Sequence, residues 1–217
     1  MENTDQHFNA ILNNYLKDFD QIPISKEQRA MLPIIAFTVQ GISEQVKAYV
    51  QAAVDQGVNS EKILGVIYQL EPVVGLGKVQ AALAVVHQVI PANHQMQHQD
   101  DPQFGKDVQA RIYGTEIRNL LADLPDGAGD FVADHLTNHF FGDFYQHEVL
   151  TVAERELYEL MALITLNVDF QIKGCLKAGN SESLIIWTII NMLPYIGFPL
   201  VINSIQKVHA AAQELQD

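Results

Sequence analysis

The chain has 217 residues, 48% of them hydrophobic and 18% charged, which excludes a disordered segment and gives one large domain or two small ones around a sizeable core. Thirteen Lys+Arg stand against 26 Asp+Glu, a formal net charge of −13; such a chain repels phosphate backbones and anionic lipid, so neither nucleic acid nor a membrane surface is an expected partner. The single cysteine allows no intramolecular disulfide, no Cys-x-x-Cys redox pair and no multi-Cys zinc site, and the expected compartment is reducing and cytoplasmic.

Met1 to His7 is polar and acidic, without the basic and apolar regions of a secretory signal, and none is expected. Phe8, Ile11, Leu12, Tyr15, Leu16 and Phe19 mark one face of an opening amphipathic helix. A second helix starts at Ser25, whose side chain can cap it while Gln28 reaches back; Pro33 inside it predicts a kink. A third spans Ile42 to Val54 and ends at Gly57, a fourth runs from about Ser60 to Leu70 before Pro72, and a fifth covers Lys78 to Ile90. Leu184 to Ile202 carries no charge over 19 residues, close to the length of a membrane span. Pro194, Pro199 and Asn191 interrupt it, and it reads as two short buried helices. No alternating strand pattern occurs, so the fold class is all-α.

Residues 92–104 read as a linker, between a first segment over 1–91 and a second over 105–217 that form one compact unit. His94 and His98, at helical i, i+4 spacing, fall at this linker and read as solvated. His135 and His139 repeat that spacing in a helical stretch, but Asp134 points off their face, so a polar helix is expected there and no metal.

An internal repeat carries the most information. With a shift of 126 residues, Ser25 falls on Thr151, Gln28 on Glu154, Arg29 on Arg155 and Gln45 on Gln171. Further on the shift becomes 122: Gly57 falls on Gly179, Ile63 on Ile185, Pro72 on Pro194 and Gly75 on Gly197. The second copy is thus four residues shorter, about one helical turn, which nearly preserves the apolar face. Neither copy can bury its face alone, so the two are expected to pack on each other.

Gln171-Ile172-Lys173-Gly174-Cys175, Gly179-Asn180 and Pro194-Tyr195-Ile196-Gly197-Phe198-Pro199 resemble the carboxymuconolactone decarboxylase and alkylhydroperoxidase D-like superfamily. So does Gly142-Asp143-Phe144-Tyr145 leading into Leu150 and Arg155-Glu156-Leu157. A weaker copy is seen in Glu44 to Tyr49, Gly57-Val58 and Pro72-Val73-Val74-Gly75. The likeness covers roughly 25–90 and 105–212, in a two-repeat form. It implies a helical bundle assembled into rings, for this chain a homo-trimer or hexamer-like ring, and no cofactor.

Catalysis in the superfamily uses a helical Glu, a Cys or Cys-x-x-Cys twelve residues on, and a His. In redox members the Glu and His draw a proton from the thiol; in decarboxylases a His moves a proton beside a lactone. Carried over, the Glu is Glu156, but the Cys position is Val168 and the His position is Cys175. The first copy has Ala30, Ile42 and Tyr49 there, so at most one site is expected per chain. An Arg often expected after Gly142-Asp143-Phe144-Tyr145 is His147. The resemblance therefore implies a rewired site: Glu156, Cys175 and His147 as catalytic groups, with Tyr145, Gln171 and Tyr195 lining the pocket. Each has a plainer reading: Cys175 as a small buried hydrophobe, Glu156 as a helix-dipole acid, Tyr195 as a turn residue, His147 as an exposed loop residue. Two functions follow. One is a small-molecule enzyme working by proton transfer or by peroxiredoxin-like thiol chemistry; the other is a non-catalytic oligomeric binding or assembly protein on the same fold.

Overall fold

The computed structural model describes residues 4–92, 101–168 and 171–216, and all regular structure among them is helical. His94 and His98 lie outside the described residues. The opening helix, α1 (Thr4–Lys17), ends in a 3-10 turn, Asp18–Gln21. The N-terminal part of its apolar face is left open by the other described residues, with Phe8 and Ile11 more than half exposed, while Tyr15, Leu16 and Phe19 are partly buried.

The next five helices are α2 (Lys26–Gln40), α3 (Ser43–Asp55), α4 (Ser60–Gln69), α5 (Glu71–Val74) and α6 (Leu76–Val86). Helix α2 begins as expected. Ser25 Oγ accepts from Gln28 N at 3.0 Å, and Ser25 N donates to Gln28 Oε1 at 3.1 Å. Helix α2 continues through Pro33 to Gln40. Pro72 does not simply stop α4; it sits in the first turn of α5, where a missing N–H costs nothing. Gly75 follows with φ 87 and ψ 151, a region open essentially only to glycine, and this reverses the chain into α6. Helix α6 is shorter than expected and closes by turns that bury Ile90.

Beyond the middle segment come α7 (Phe104–Tyr113), α8 (Glu116–Leu121), a 3-10 turn at Pro125–Gly127, α9 (Ala128–His135) and a π-helical stretch, Leu136–Phe144. Phe104 and Gly105 thus belong to α7, at the edge of the span read as linker. The π-helix packs on α7 at backbone distance. A side chain at Gly105 would meet Thr137 O and the backbone of Gly142. Arg118 pairs with Asp130 and Asp134, tying α8 to α9. His135 Nδ1 lies 2.8 Å from Phe131 O, while His139 lies between Asp143 at 2.9 Å and Glu71 at 3.2 Å. Among the described residues no group of three or more His, Cys, Asp or Glu could hold a metal ion.

The chain closes with α10 (Val152–Thr165), α11 (Ile172–Lys177), α12 (Glu182–Asn191), α13 (Leu193–Ile196) and α14 (Phe198–Glu214). The α10 cap has the same construction as the α2 cap: Thr151 Oγ1 accepts from Glu154 N at 3.2 Å and Thr151 N donates to Glu154 Oε2 at 2.8 Å. Gly197, φ 81 and ψ 165, turns α13 into α14. The uncharged stretch 184–202 is therefore not two short buried helices. It covers most of α12, the single turn α13 and the start of a 17-residue helix, with Trp187, Phe198 and Ile202 exposed on it. None of the described helices is long and apolar enough to cross a membrane.

One core runs through both ends of the chain: Met31, Leu32 and Ile35 of α2 join Leu157, Leu160 and Met161 of α10, all at most 1% exposed. At its rim Lys62 of α4 reaches Glu27 at 2.6 Å and Glu154 at 2.9 Å, bridging the first turns of α2 and α10. A smaller cluster of Val108, Ile112, Phe140, Phe141 and Tyr145 joins α7 to the π-helix.

Candidate functional site

Helix α10 is the most deeply buried of these elements, and its sequence places charge in that core. Arg155 is 1% exposed; Glu156 and Glu159 are 0%. Charges taken out of water need partners, and these three have them. Tyr113 of α7 donates its hydroxyl to Glu156 Oε2 at 2.5 Å. The Tyr145 hydroxyl lies 2.7 Å from Glu156 Oε1 and 2.7 Å from Glu159 Oε2. Arg155 donates Nη1 to Gln69 Oε1 at 3.1 Å and Nη2 to His147 O at 2.5 Å, and its guanidinium carbon lies 5.5 Å from the Tyr145 ring centre.

This geometry fixes a proton count. A phenol carries one proton, so Tyr145 can donate to only one of its two carboxyl neighbours. The other bond requires a carboxylic O–H donating to the phenol oxygen, and the Glu156–Glu159 pair therefore holds at least one proton. Burial pushes Glu159 well above the usual carboxylate range, and the charge of Glu156 adds to this against Tyr145 and Arg155. Burial also raises Glu156, against its two tyrosine donors. The consistent assignment is a neutral Glu159 donating to Tyr145, with Tyr145 and Tyr113 both donating to an ionised Glu156. Glu159 Oε1 is buried without a hydrogen-bond partner, which a neutral carboxyl's carbonyl oxygen tolerates better than an anion would.

Tyr113 connects the cluster to open space. It is half-buried and lies against Gly174 of α11, where any side chain would overlap its ring. It lines two cavities. One, of about 330 Å³, has apolar walls from Val73, Leu136, Phe140 and Leu163, with Gln171 at its edge. The other, of about 430 Å³, includes Lys173, Lys177 and Lys207.

The remaining sequence-derived candidates are spread over several places. Cys175 is fully buried. Burial pushes its thiol well above the ordinary value, the Glu156 charge adds to this, and Asn180 Nδ2, 3.4 Å from Sγ, opposes it. Gln171 caps α11, and its Oε1 is buried without a hydrogen-bond partner. His147 meets the cluster through its backbone carbonyl, which accepts from Arg155. Tyr195 is not with Glu156. Its ring lies 5.8 Å from Tyr49 and 5.8 Å from Phe37, and it lines a third cavity formed with the first half of the chain.

Three members of the cluster are not marked as site residues by the sequence: Tyr113, Glu159 and Arg155. Glu159 had a signal, a second acid at i+3 on a helix otherwise rich in Leu, Met and Ala. Tyr113 had none, since it comes from a helix 43 residues earlier in the chain. No protein-family model and no curated protein sequence matches this chain.

Proposed function

We propose that the chain is a two-repeat relative of the carboxymuconolactone decarboxylase and alkylhydroperoxidase D-like superfamily, and a small-molecule enzyme working by proton transfer at Tyr113 and Glu156. The observation that carries this is the Tyr113–Glu156 hydrogen bond of 2.5 Å, between a cavity-lining phenol and a carboxylate sealed in the core. A carbon acid in the cavity gives its proton to the Tyr113 oxygen as the Tyr113 proton passes to Glu156 Oε2. The reverse transfer, onto the same or another atom of the substrate, restores both groups. Tyr145, shared with neutral Glu159, sets the basicity of Glu156 from its other side. The order of α2 to α6 matches that of α10 to α14, with the same capping box at the head of each series and a glycine of the same conformation before the last helix. That match supports the repeat.

Thiol chemistry is the weaker reading of the same site. Val168 stands at the expected nucleophile, and Cys175 combines full burial with a raised pKa, the reverse of what a reactive thiol needs. In the non-catalytic reading the buried cluster only holds the helices together. Proton exchange separates these. Small lactones and 1,3-dicarbonyl compounds incubated with the protein in D2O should gain deuterium at the acidic carbon, read by NMR. The rate should fall by roughly 10²-fold or more in Glu156→Gln and in Tyr113→Phe and persist in Cys175→Ser. Equal rates in all four folded proteins would support the non-catalytic reading.

The same proposal includes a homo-trimer. Phe8, Ile11, Phe131 and Phe198 are each more than half exposed, apolar surface of the kind that subunit contacts cover. Light scattering should give a mass near three times 24.2 kDa; a monomer at micromolar concentration would remove this part of the proposal.

A further inference from the structure

We propose that the cavity between α2, α3 and α13 is a second binding site, for a small organic monocarboxylate with an apolar body. The inference does not depend on proton transfer at Glu156. The cavity measures about 420 Å³, room for a ring or short chain and more than a lone inorganic anion fills. Ala30, Pro33, Ala52 and Val58 give it an apolar side. Its polar side is cationic and phenolic: Lys26, Arg29, Tyr49 and Tyr195, with Asp20 and Gln56 at the edge.

The charges point to a monoanion. Two cations face one carboxylate, in a chain whose overall charge is −13. Asp20 compensates weakly, since it lies 3.9 Å from Arg29 Nη1 and its side chain is 77% exposed. Arg29 spends Nη2 on Ile22 O at 2.9 Å. Its Nη1 has only Asp20, at 3.9 Å, beyond hydrogen-bond distance, and is the nitrogen that a bound carboxylate oxygen can take. The two phenols add a neutral donor. The Tyr49 and Tyr195 rings lie 5.8 Å apart at 85°, and burial pushes the Tyr195 hydroxyl well above its ordinary value, so it keeps its proton. Phe37 fixes the Tyr49 ring by stacking at 5.5 Å. A phosphate or dicarboxylate would leave its further negative oxygens against the apolar side, at the cost of an unpaired charge.

Titration calorimetry tests this with benzoate, its neutral counterpart benzyl alcohol, and inorganic phosphate. Benzoate should bind saturably at one site per chain, with benzyl alcohol and phosphate each weaker by roughly tenfold or more. Lys26→Gln and Tyr49→Phe, both at positions only partly buried or exposed, should each weaken benzoate by roughly fivefold to tenfold. Lys177→Gln, in the separate cavity beside Tyr113, should leave benzoate affinity unchanged. Circular dichroism establishes that each variant is folded. Absence of saturable benzoate binding up to about 10 mM, above the millimolar range that a weak specific site covers, overturns the proposal. So does phosphate binding as tightly as benzoate, or a loss that follows Lys177 and not Lys26 and Tyr49.

Discussion

Replacing Arg155 by methionine should destabilise the fold by about 2–5 kcal/mol, because two acceptors in the core are left without their donor. Methionine restores much of the volume, so the loss is chiefly electrostatic and hydrogen-bonded. Gln69 Oε1, itself in a fully buried residue, and the His147 carbonyl both lose their donor, and Glu159 loses a nearby positive charge. Arg155 also joins distant parts of the chain, α10 to α4 and to the segment after the π-helix. Unfolding in urea should show the loss as a lower midpoint with little change in slope. A loss under about 1 kcal/mol would mean that Gln69 and the His147 carbonyl do not depend on Arg155 as their donor.

Glu159→Gln should stabilise the protein at neutral and alkaline pH. In the unfolded chain this carboxyl titrates near 4.5, and in the folded protein it keeps its proton to much higher pH. Between those two points the folded state binds more protons than the unfolded one. The contribution is therefore fully present below about pH 4.5 and is lost as pH rises through the folded value. Glu156, raised by burial against its tyrosine donors, has the same sign. Glu154 has the opposite sign. Burial raises it, but its bonds from Lys62 and Thr151 prevail, so its contribution is present above 4.5 and is lost on acidification. Glutamine cannot ionise, and its amide can donate to the Tyr145 oxygen as the neutral carboxyl does. Thermal unfolding of the variant should match wild type near pH 4.5 and exceed it increasingly toward pH 8. Each kcal/mol gained raises Tm by roughly 2–4 °C in a chain of this length. A variant less stable than wild type at pH 8 would show that Glu159 is needed as an anion.

Much of the helical framework could be read from the sequence because its signals are local. Ser25 with Gln28 and Thr151 with Glu154 are capping boxes three residues long, and both form. Gly57 and Gly179 take positive φ at 79° and 105°, directly after helical turns. Pro72 and Pro194 look like helix stops in the sequence, yet each lies in the first turn of a short helix, because a proline signal does not tell the end of one helix from the first turn of the next. The π-helix at Leu136–Phe144 has no such local mark. It depends on how closely α7 approaches at Gly105.

The candidate site divides in the same way. The family resemblance points to Glu156 and Tyr145, and the fold joins them by a 2.7 Å hydrogen bond. It also put Tyr195 in the same pocket, but the fold places Tyr195 beside Tyr49. What sequence determined by itself is what neighbouring residues determine: helical periodicity, caps, net charge and the absence of a second thiol. Only the tertiary structure decided that Tyr113 meets Glu156, that Arg155 lies between Gln69 and His147, and that two carboxyls share one phenol. Those contacts join residues far apart in the chain. Their protonation depends on the water and charge removed around them, which no short stretch of sequence encodes.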